Sequence, residues 1–79
     1  MNMYKLKNKY RLLLFNKIEF INTIHADTGM SLILSSELFF TLFKDNTEFS
    51  FQELDDIIET HPSRLLYINK IHNIIDRAN

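Results

Sequence analysis

The clearest pattern of apolar and polar positions lies between residues 49 and 75, where it predicts two short helices joined by a tight turn. The first helix begins with a capping box, because the Ser50 hydroxyl and the Glu53 carboxylate can each accept the other residue's backbone N–H. At roughly 100° per residue, four apolar side chains fall on one face of this helix and four acidic ones on the other. These sets are Phe51, Leu54, Ile57 and Ile58, and Glu53, Asp55, Asp56 and Glu59.

Pro62 is expected to end this helix and to open the next one. A proline disfavours helical geometry at the preceding residue, His61, so the first helix should stop near Thr60. Pro62 or Ser63 can start the second helix, since the first helical N–H groups have no intrahelical partners. Two helices joined by so short a turn cross at a steep angle, which is the geometry of a helix-turn-helix. The second helix is predicted to cover residues 63–77.

This second helix has an apolar arc, a polar arc and two leucines that fit neither. The apolar arc contains Tyr67, Ile68, Ile71, Ile74 and Ile75, and the polar arc contains Asn69, Lys70, Asn73, Asp76 and Arg77, with His72 at its border. Leu65 and Leu66 fall on the polar side, near the start of the helix. We expect this first turn to be buried against the preceding helix. The alternative is an apolar contact with a partner protein or a second copy.

The segment from residue 10 to residue 34 fits two descriptions. Read as strands, it gives residues 10–15, 18–25 and 30–34, with a turn at Asp27-Thr28-Gly29. A helical stripe also fits, although three residues oppose it. The stripe is Tyr10, Leu13, Leu14, Ile18, Ile21 and Ile24, and the residues that oppose it are Leu12, Phe15 and Lys17. Because of these three residues and the β-branched side chains, we favour strands.

Ser35-Ser36-Glu37 predicts the start of another helix, with a hydroxyl cap and an acid in the first turn. Apolar residues cover more than half of its circumference as far as Lys44, so this helix should be central to the core. Residues 1–9 are polar and basic and are expected to be frayed. The 79 residues thus predict a single α+β domain, with an N-terminal antiparallel sheet followed by a three-helix, helix-turn-helix core. An all-α helical bundle is the alternative.

Composition and charge narrow the function. The chain has no cysteine, so nothing suggests disulfides or secretion, and its apolar runs are far too short for a membrane span. We therefore expect a cytoplasmic protein without membrane contact. The net charge of -1 is unevenly placed, because residues 1–18 and 60–79 are basic while residues 19–59 are strongly acidic. Only the two ends of the sequence are suited to a phosphate backbone.

Three stretches follow one another in a recognisable order. They are Leu34-Ser35-Ser36-Glu37 before an apolar run, Phe49-Ser50 before Leu54 and Ile57, and Leu66-Tyr67-Ile68-Asn69-Lys70-Ile71-His72. Their order and spacing resemble the DNA-binding domain of OmpR/PhoB-type response regulators and of the related CadC/ToxR-type regulators. The resemblance covers roughly residues 10–75. It implies a winged-helix fold, with a small antiparallel sheet, three helices and a C-terminal β-hairpin wing.

The resemblance implies that the last helix enters the major groove of double-stranded DNA. Family contact positions would fall on Ser63, Tyr67, Asn69, Lys70 and His72. Ser63 and Lys70 would then hold phosphates, and Asn69 would pair with an adenine edge, a contact that discriminates by ~1–3 kcal/mol. We add Asn73, which lies on the same polar arc, to these candidate contacts.

The chain also departs from the family pattern. Asn69 and His72 replace two of the arginines usual in the recognition helix, and Arg64 stands where an apolar core residue is expected. The sequence ends at Asn79, which leaves no residues for a wing, so a monomer is expected to bind DNA weakly. A homodimer on two half-sites would compensate.

We therefore expect a DNA-binding transcriptional regulator without enzymatic activity or cofactor. The three histidines are not spaced as a metal motif, and the single glycine excludes a Gly-rich phosphate loop. The alternative is a small protein–protein interaction module, or an antagonist of a regulatory protein, with Leu65 and Leu66 at its interface. The two hypotheses differ in salt dependence, because only DNA binding through Lys and Arg contacts must weaken steeply as the salt concentration rises.

Overall fold

Residues 2–78 are described by a computed structural model in which strands and helices are mixed along the chain. The strands are β1 (Met3–Leu6), β2 (Phe49–Ser50) and β3 (Ile75–Arg77). The helices are α1 (Asn8–Arg11), α2 (Lys17–Thr28), α3 (Leu32–Leu38), α4 (Phe51–Ile58) and α5 (Arg64–Ile71), and a π-helical turn (Phe39–Phe43) continues α3. The predicted α+β class is confirmed, because a three-stranded antiparallel sheet accompanies the helices.

The sheet joins the two ends of the described chain. The strand order is β2-β1-β3 and both pairings are antiparallel, so β1 is the central strand. Leu6 lies opposite Ile75 in the ladder and is only 3% exposed. The prediction that residues 1–9 are frayed is therefore wrong for residues 3–9, because Lys7 is bonded to Ile74 and α1 begins at Asn8, while Met1 lies outside the described residues. Burial of Leu6 in the core holds this segment in place.

The predicted location of the sheet is wrong, because α1, α2 and α3 occupy that segment together with turns at residues 12–15. Asn16 caps α2 by accepting the backbone N–H three residues on, at 3.2 Å. Gly29 ends α2 in the left-handed conformation, with φ 74°, so Asp27-Thr28-Gly29 is a helix C-terminus and not a hairpin turn. The buried side of α2 consists of Phe20, Ile24 and Thr28, each one helical turn apart.

The helix α3 begins earlier than predicted. Ser31 and not Ser35 is its N-cap, and the Ser31 hydroxyl accepts the N–H of Leu34 at 3.0 Å. Ser35 lies inside the helix and is fully buried, and its hydroxyl has no hydrogen-bond partner among residues 2–78. The predicted end near Lys44 is confirmed, because the N–H of Lys44 closes the π-helical turn on the carbonyl of Phe39 at 3.1 Å.

Four phenylalanine rings hold α2, the π-helical turn and β2 together. The ring centroid of Phe20 lies 5.3 Å from that of Phe39 and 6.0 Å from that of Phe43. Phe43 in turn lies 5.4 Å from Phe49. Tilted and edge-to-face pairs of this kind contribute ~0.5–1.5 kcal/mol each beyond the burial of their area. The predicted central position of the helix that ends near Lys44 is thus confirmed.

A hydrogen-bonded group of three side chains fixes α1 against α2. The Tyr10 hydroxyl and the Lys9 ammonium both donate to Asp27 Oδ2, at 2.7 and 2.8 Å. Burial, together with the neighbouring carboxylate, raises the pKa of Tyr10 to about 12. The hydrogen bonds from Lys9 and Tyr10 lower the pKa of Asp27.

This group gives the free energy of unfolding a pH dependence at both extremes. The raised pKa of Tyr10 stabilises the fold fully below the unfolded-state pKa of 10.0, and this contribution is lost as the pH rises to about 12. The lowered pKa of Asp27 stabilises the fold above 3.8, and this contribution is lost as the pH falls through the folded-state value. We expect Tyr10→Phe to remove the alkaline loss and to retain the part of the acid loss that comes from Lys9. Urea unfolding across the pH range measures both, and an unchanged alkaline loss would assign it to another tyrosine.

Candidate nucleic-acid interface

The start of α4 is fixed by the predicted capping box. The Ser50 hydroxyl accepts the N–H of Glu53 at 3.3 Å, and a Glu53 carboxylate oxygen accepts the N–H of Ser50 at 3.1 Å. Leu54 and Ile58, one turn apart, are fully buried, whereas Phe51 and Ile57 are half-buried against the core. The predicted apolar face of this helix is confirmed.

The connection between α4 and α5 is short, as predicted, and it is anchored to α3. The helix α4 ends at Ile58, and the N–H of His61 donates to the Ile58 carbonyl at 2.9 Å. The His61 ring nitrogen Nε2 lies 3.5 Å from a carboxylate oxygen of Glu37 on α3, and the His61 ring meets Tyr67 edge-on at 6.4 Å. The turn that carries Pro62 is therefore held from both sides.

A bidentate ion pair joins the two helices. Arg64 Nε and Nη2 donate to the two carboxylate oxygens of Asp55, at 3.0 and 2.7 Å. The hydrogen bonds and the charge of Asp55 raise the pKa of Arg64 above its ordinary value. Arg64 thus joins α4 and α5 through an ionic contact. In this arrangement it does not face outward as a free cation.

The helix α5 is shorter than predicted, because it ends at Ile71 and residues 72–74 form a turn. Ile74 and Ile75 are buried, as their place on the apolar arc suggested, but they are buried from the turn and from β3. The prediction of one helix over residues 63–77 is therefore wrong beyond residue 71. Pairing of β3 with β1 overrides the helical spacing of these isoleucines.

The six predicted DNA contacts lie in three different environments. Asn69 and Lys70 are exposed on α5, and Ser63 and Asn73 are exposed at its two ends. Tyr67 is half-buried and packs against the core, as its place on the apolar arc indicated. His72 is exposed, but its ring stacks on Phe51 at 5.3 Å with an interplanar angle of 13°. Four of the six side chains are thus freely presented, while Tyr67 and His72 have packing roles.

Leu65 and Leu66 are exposed at the start of α5, by 75% and 53% respectively. The expectation that this first turn is buried against α4 is wrong, because Arg64 and not a leucine makes that contact. The alternative, an apolar contact with a partner, stays a prediction. Their exposure places two large apolar groups on the same side of α5 as Asn69.

The sequence reasoning missed one feature of the interface. It treated the basic start of the chain as separate from the last helix, whereas Lys7, next to β1, donates its N–H to the carbonyl of Ile74 at 2.9 Å. No local signal indicates this contact, because it depends on pairing between the first and last strands.

The outward side of α4 is acidic, with Glu53, Asp56 and Glu59 exposed.

Two other kinds of site are absent from the part of the chain that the structure describes. Among residues 2–78, no three His, Asp or Glu side chains are grouped so that they would hold a metal ion. None of the helices in this range is long and apolar enough to cross a membrane. Comparison with known proteins found no matching family profile, no similar curated protein and no similar solved structure.

Proposed function

We propose that the chain is a transcriptional regulator that binds double-stranded DNA through the helix-turn-helix of α4 and α5. The observation that carries this proposal is the exposure of Asn69 and Lys70 beside the fully buried Ile71. The helix α5 is buried on the side of Ile71, and its other side presents the amide group of Asn69 and the ammonium group of Lys70. These are groups that read base edges and neutralise phosphates in the major groove.

The way in which α5 is held supports a recognition role. Base readout requires side chains in a fixed orientation, and α5 is positioned by the Asp55–Arg64 ion pair and by the anchored turn at His61. The succession of α3, α4 and α5 is also compatible with the resemblance to OmpR/PhoB-type domains. Ser63 and Asn73, at the two ends of the helix, would contact the backbone on either side of the groove.

The acidic surface of α4 determines how DNA would be bound. Glu53, Asp56 and Glu59 oppose a phosphate backbone, which weakens the binding of a single copy. We therefore propose a homodimer on two half-sites, with each α5 in a major groove about one helical turn from the other. We place the protein in the cytoplasm, together with its DNA, and assign it no catalytic role.

A second candidate function is binding to a regulatory protein, and the exposure of Leu65 and Leu66 favours it. Burying two leucines at an interface would contribute ~1.5–3 kcal/mol each. Such binding would depend little on salt, because the contact is apolar. Under this alternative, the chain would act as an interaction module or antagonist, and α5 would be its contact helix.

A mobility-shift series with a pool of random-sequence duplexes at two salt concentrations tests the proposed function. We expect retardation at low salt that falls steeply at the higher salt, because Lys and Arg contacts release counterions from DNA. Absence of retardation even at low salt would remove the DNA-binding function and leave the protein-binding candidate.

Substitutions on α5 test which face contacts DNA. In a duplex selected from the pool, Asn69→Ala is expected to reduce discrimination against random sequence by ~1–3 kcal/mol, or roughly 5–150-fold. Lys70→Ala should weaken binding to all sequences alike and reduce the salt slope by ~0.9. Asn22, also exposed, lies on α2, so Asn22→Ala serves as the control and should change neither quantity. Wild-type binding by both α5 variants would mean that another face is used.

A further inference from the structure

The sheet brings together two basic segments from opposite ends of the sequence. Residues 1–18 contain five Lys and Arg and no acid, and residues 60–79 contain three with one acid. Because β1 pairs with β3, Lys7 reaches the turn that follows α5, where its N–H bonds the carbonyl of Ile74. The basic start of the chain thus lies against the end of the proposed recognition helix.

Three cations follow one another along this junction, and we call Lys70, Lys7 and Arg11 the basic strip. The N–H of Asn73 donates to the carbonyl of Lys70 at 3.0 Å, and the next residue, Ile74, bonds Lys7. The N–H of Arg11 donates to the carbonyl of Lys7 at 3.1 Å, one turn further along α1. The basic strip therefore runs from the last turn of α5 to α1.

The cations of the basic strip have no carboxylate partner in the described part of the chain, whereas the neighbouring Lys9 has one. Within residues 2–78, no ion pair involves a member of the strip. By contrast, Lys9 pairs with Asp27 at 2.8 Å. Asp45 lines a small cleft together with Arg11 and is the acid that borders the strip from the other side. The strip keeps its positive charge available for an external anion.

We infer that the basic strip binds DNA phosphates and extends the contact of α5 beyond the major groove. This inference rests on the proposed function. A helix that lies in the groove ends beside a sugar–phosphate backbone, so cations just past its last turn meet phosphates and not bases. The N-terminal strand thereby supplies the backbone contact that the resemblance assigns to a wing.

Salt-dependent binding of the full chain to a labelled random-sequence duplex tests this inference. Lys7→Gln and Arg11→Gln are each expected to reduce the slope of log K against log salt by about 0.9, so that the affinity lost between 50 and 200 mM salt becomes about 3.5-fold smaller. Lys9→Gln removes the same charge from the same segment. Its slope should equal that of the wild type, because the Lys9 ammonium is already paired with Asp27. Lys7→Arg, which keeps the charge, should also retain the wild-type slope.

The salt slopes of the variants can be interpreted once circular dichroism has shown that the variants are folded. Reduced slopes for Lys7→Gln and Arg11→Gln, with wild-type slopes for Lys9→Gln and Lys7→Arg, support the basic strip. Wild-type slopes for all four variants would overturn the strip while leaving DNA binding by α5 intact. If the wild-type protein does not bind duplex DNA at all, the proposed function fails and the strip fails with it. Should Lys7→Gln not fold, Arg11→Gln against Lys9→Gln gives the same comparison.

Discussion

Replacing Phe43 with alanine is expected to lower the free energy of unfolding by about 3–5 kcal/mol. Phe43 is 1% exposed, and its ring contacts Phe20 on α2 and Phe49 on β2. The substitution removes contacts among three elements at once and leaves a cavity that the surrounding rings cannot fill. A domain of this size has a total stability of order 4–12 kcal/mol, so the substitution would remove roughly a quarter of it or more.

Urea unfolding followed by circular dichroism measures this loss, and Phe15→Ala is the matched control. Phe15 is 96% exposed in the turn before α2, so the same chemical change should alter the free energy of unfolding by no more than about 0.5 kcal/mol. Equal losses in the two variants would mean that the turn at residues 12–15 is buried and that α2 is placed differently.

Deleting residues 2–6 is expected to abolish cooperative unfolding. Among the described residues, the strands β2 and β3 pair only with β1, so both lose their ladder when β1 is removed. The core loses Leu6 as well, and one leucine truncated to alanine already costs ~2–5 kcal/mol. Thermal melting followed by circular dichroism would show a broad, shallow change in place of a sigmoidal transition.

The matched control for this deletion is Lys5→Ala. Lys5 lies on the opposite face of β1 from Leu6, so its removal should leave the transition sigmoidal and shift the stability by no more than about 0.5 kcal/mol. A truncated protein that melts like the wild type would return residues 2–6 to the frayed segment predicted from their composition. It would also remove the structural basis of the basic strip.

The features that the sequence predicted correctly depend on neighbours within a few residues. The capping box of Ser50 and Glu53 and the stop before Pro62 are local, because every group involved lies within one turn of its partner. The exposure of Asn69 and Lys70 also follows from local helical spacing around a buried Ile71. Local reasoning was therefore sufficient for the two short helices α4 and α5 and the short connection between them.

The errors arose where apolar residues are exposed or where distant segments pair. Pattern reading assumes that apolar side chains are buried, but Leu12 and Phe15, in the turn before α2, are largely exposed, and their misfit to the helical stripe favoured strands. Ile74 and Ile75 are buried and fit either a helix or a strand. Only their pairing with β1, from the other end of the chain, decides for the strand.

Two contacts of the candidate site also depend on residues that are distant in the sequence. Nothing near Arg64 indicates that Asp55 holds its guanidinium, and nothing near Lys7 indicates that it lies beside the end of α5. Both contacts require the folded backbone. Counting positive charges along the last helix therefore includes Arg64, which is held by Asp55, and leaves out Lys7, whose backbone is bonded to the turn after α5.

The position of β1 between β2 and β3 also has a consequence for biosynthesis. The central strand β1 is synthesised before the two strands that pair with it, and β3 follows only after the whole segment from α1 to α5. Closing so large a loop is entropically costly, and ladders formed between such distant segments assemble slowly. The sheet is therefore completed only after β3 has left the ribosome, and until then the nascent chain carries an unpaired edge of β1, which favours aggregation.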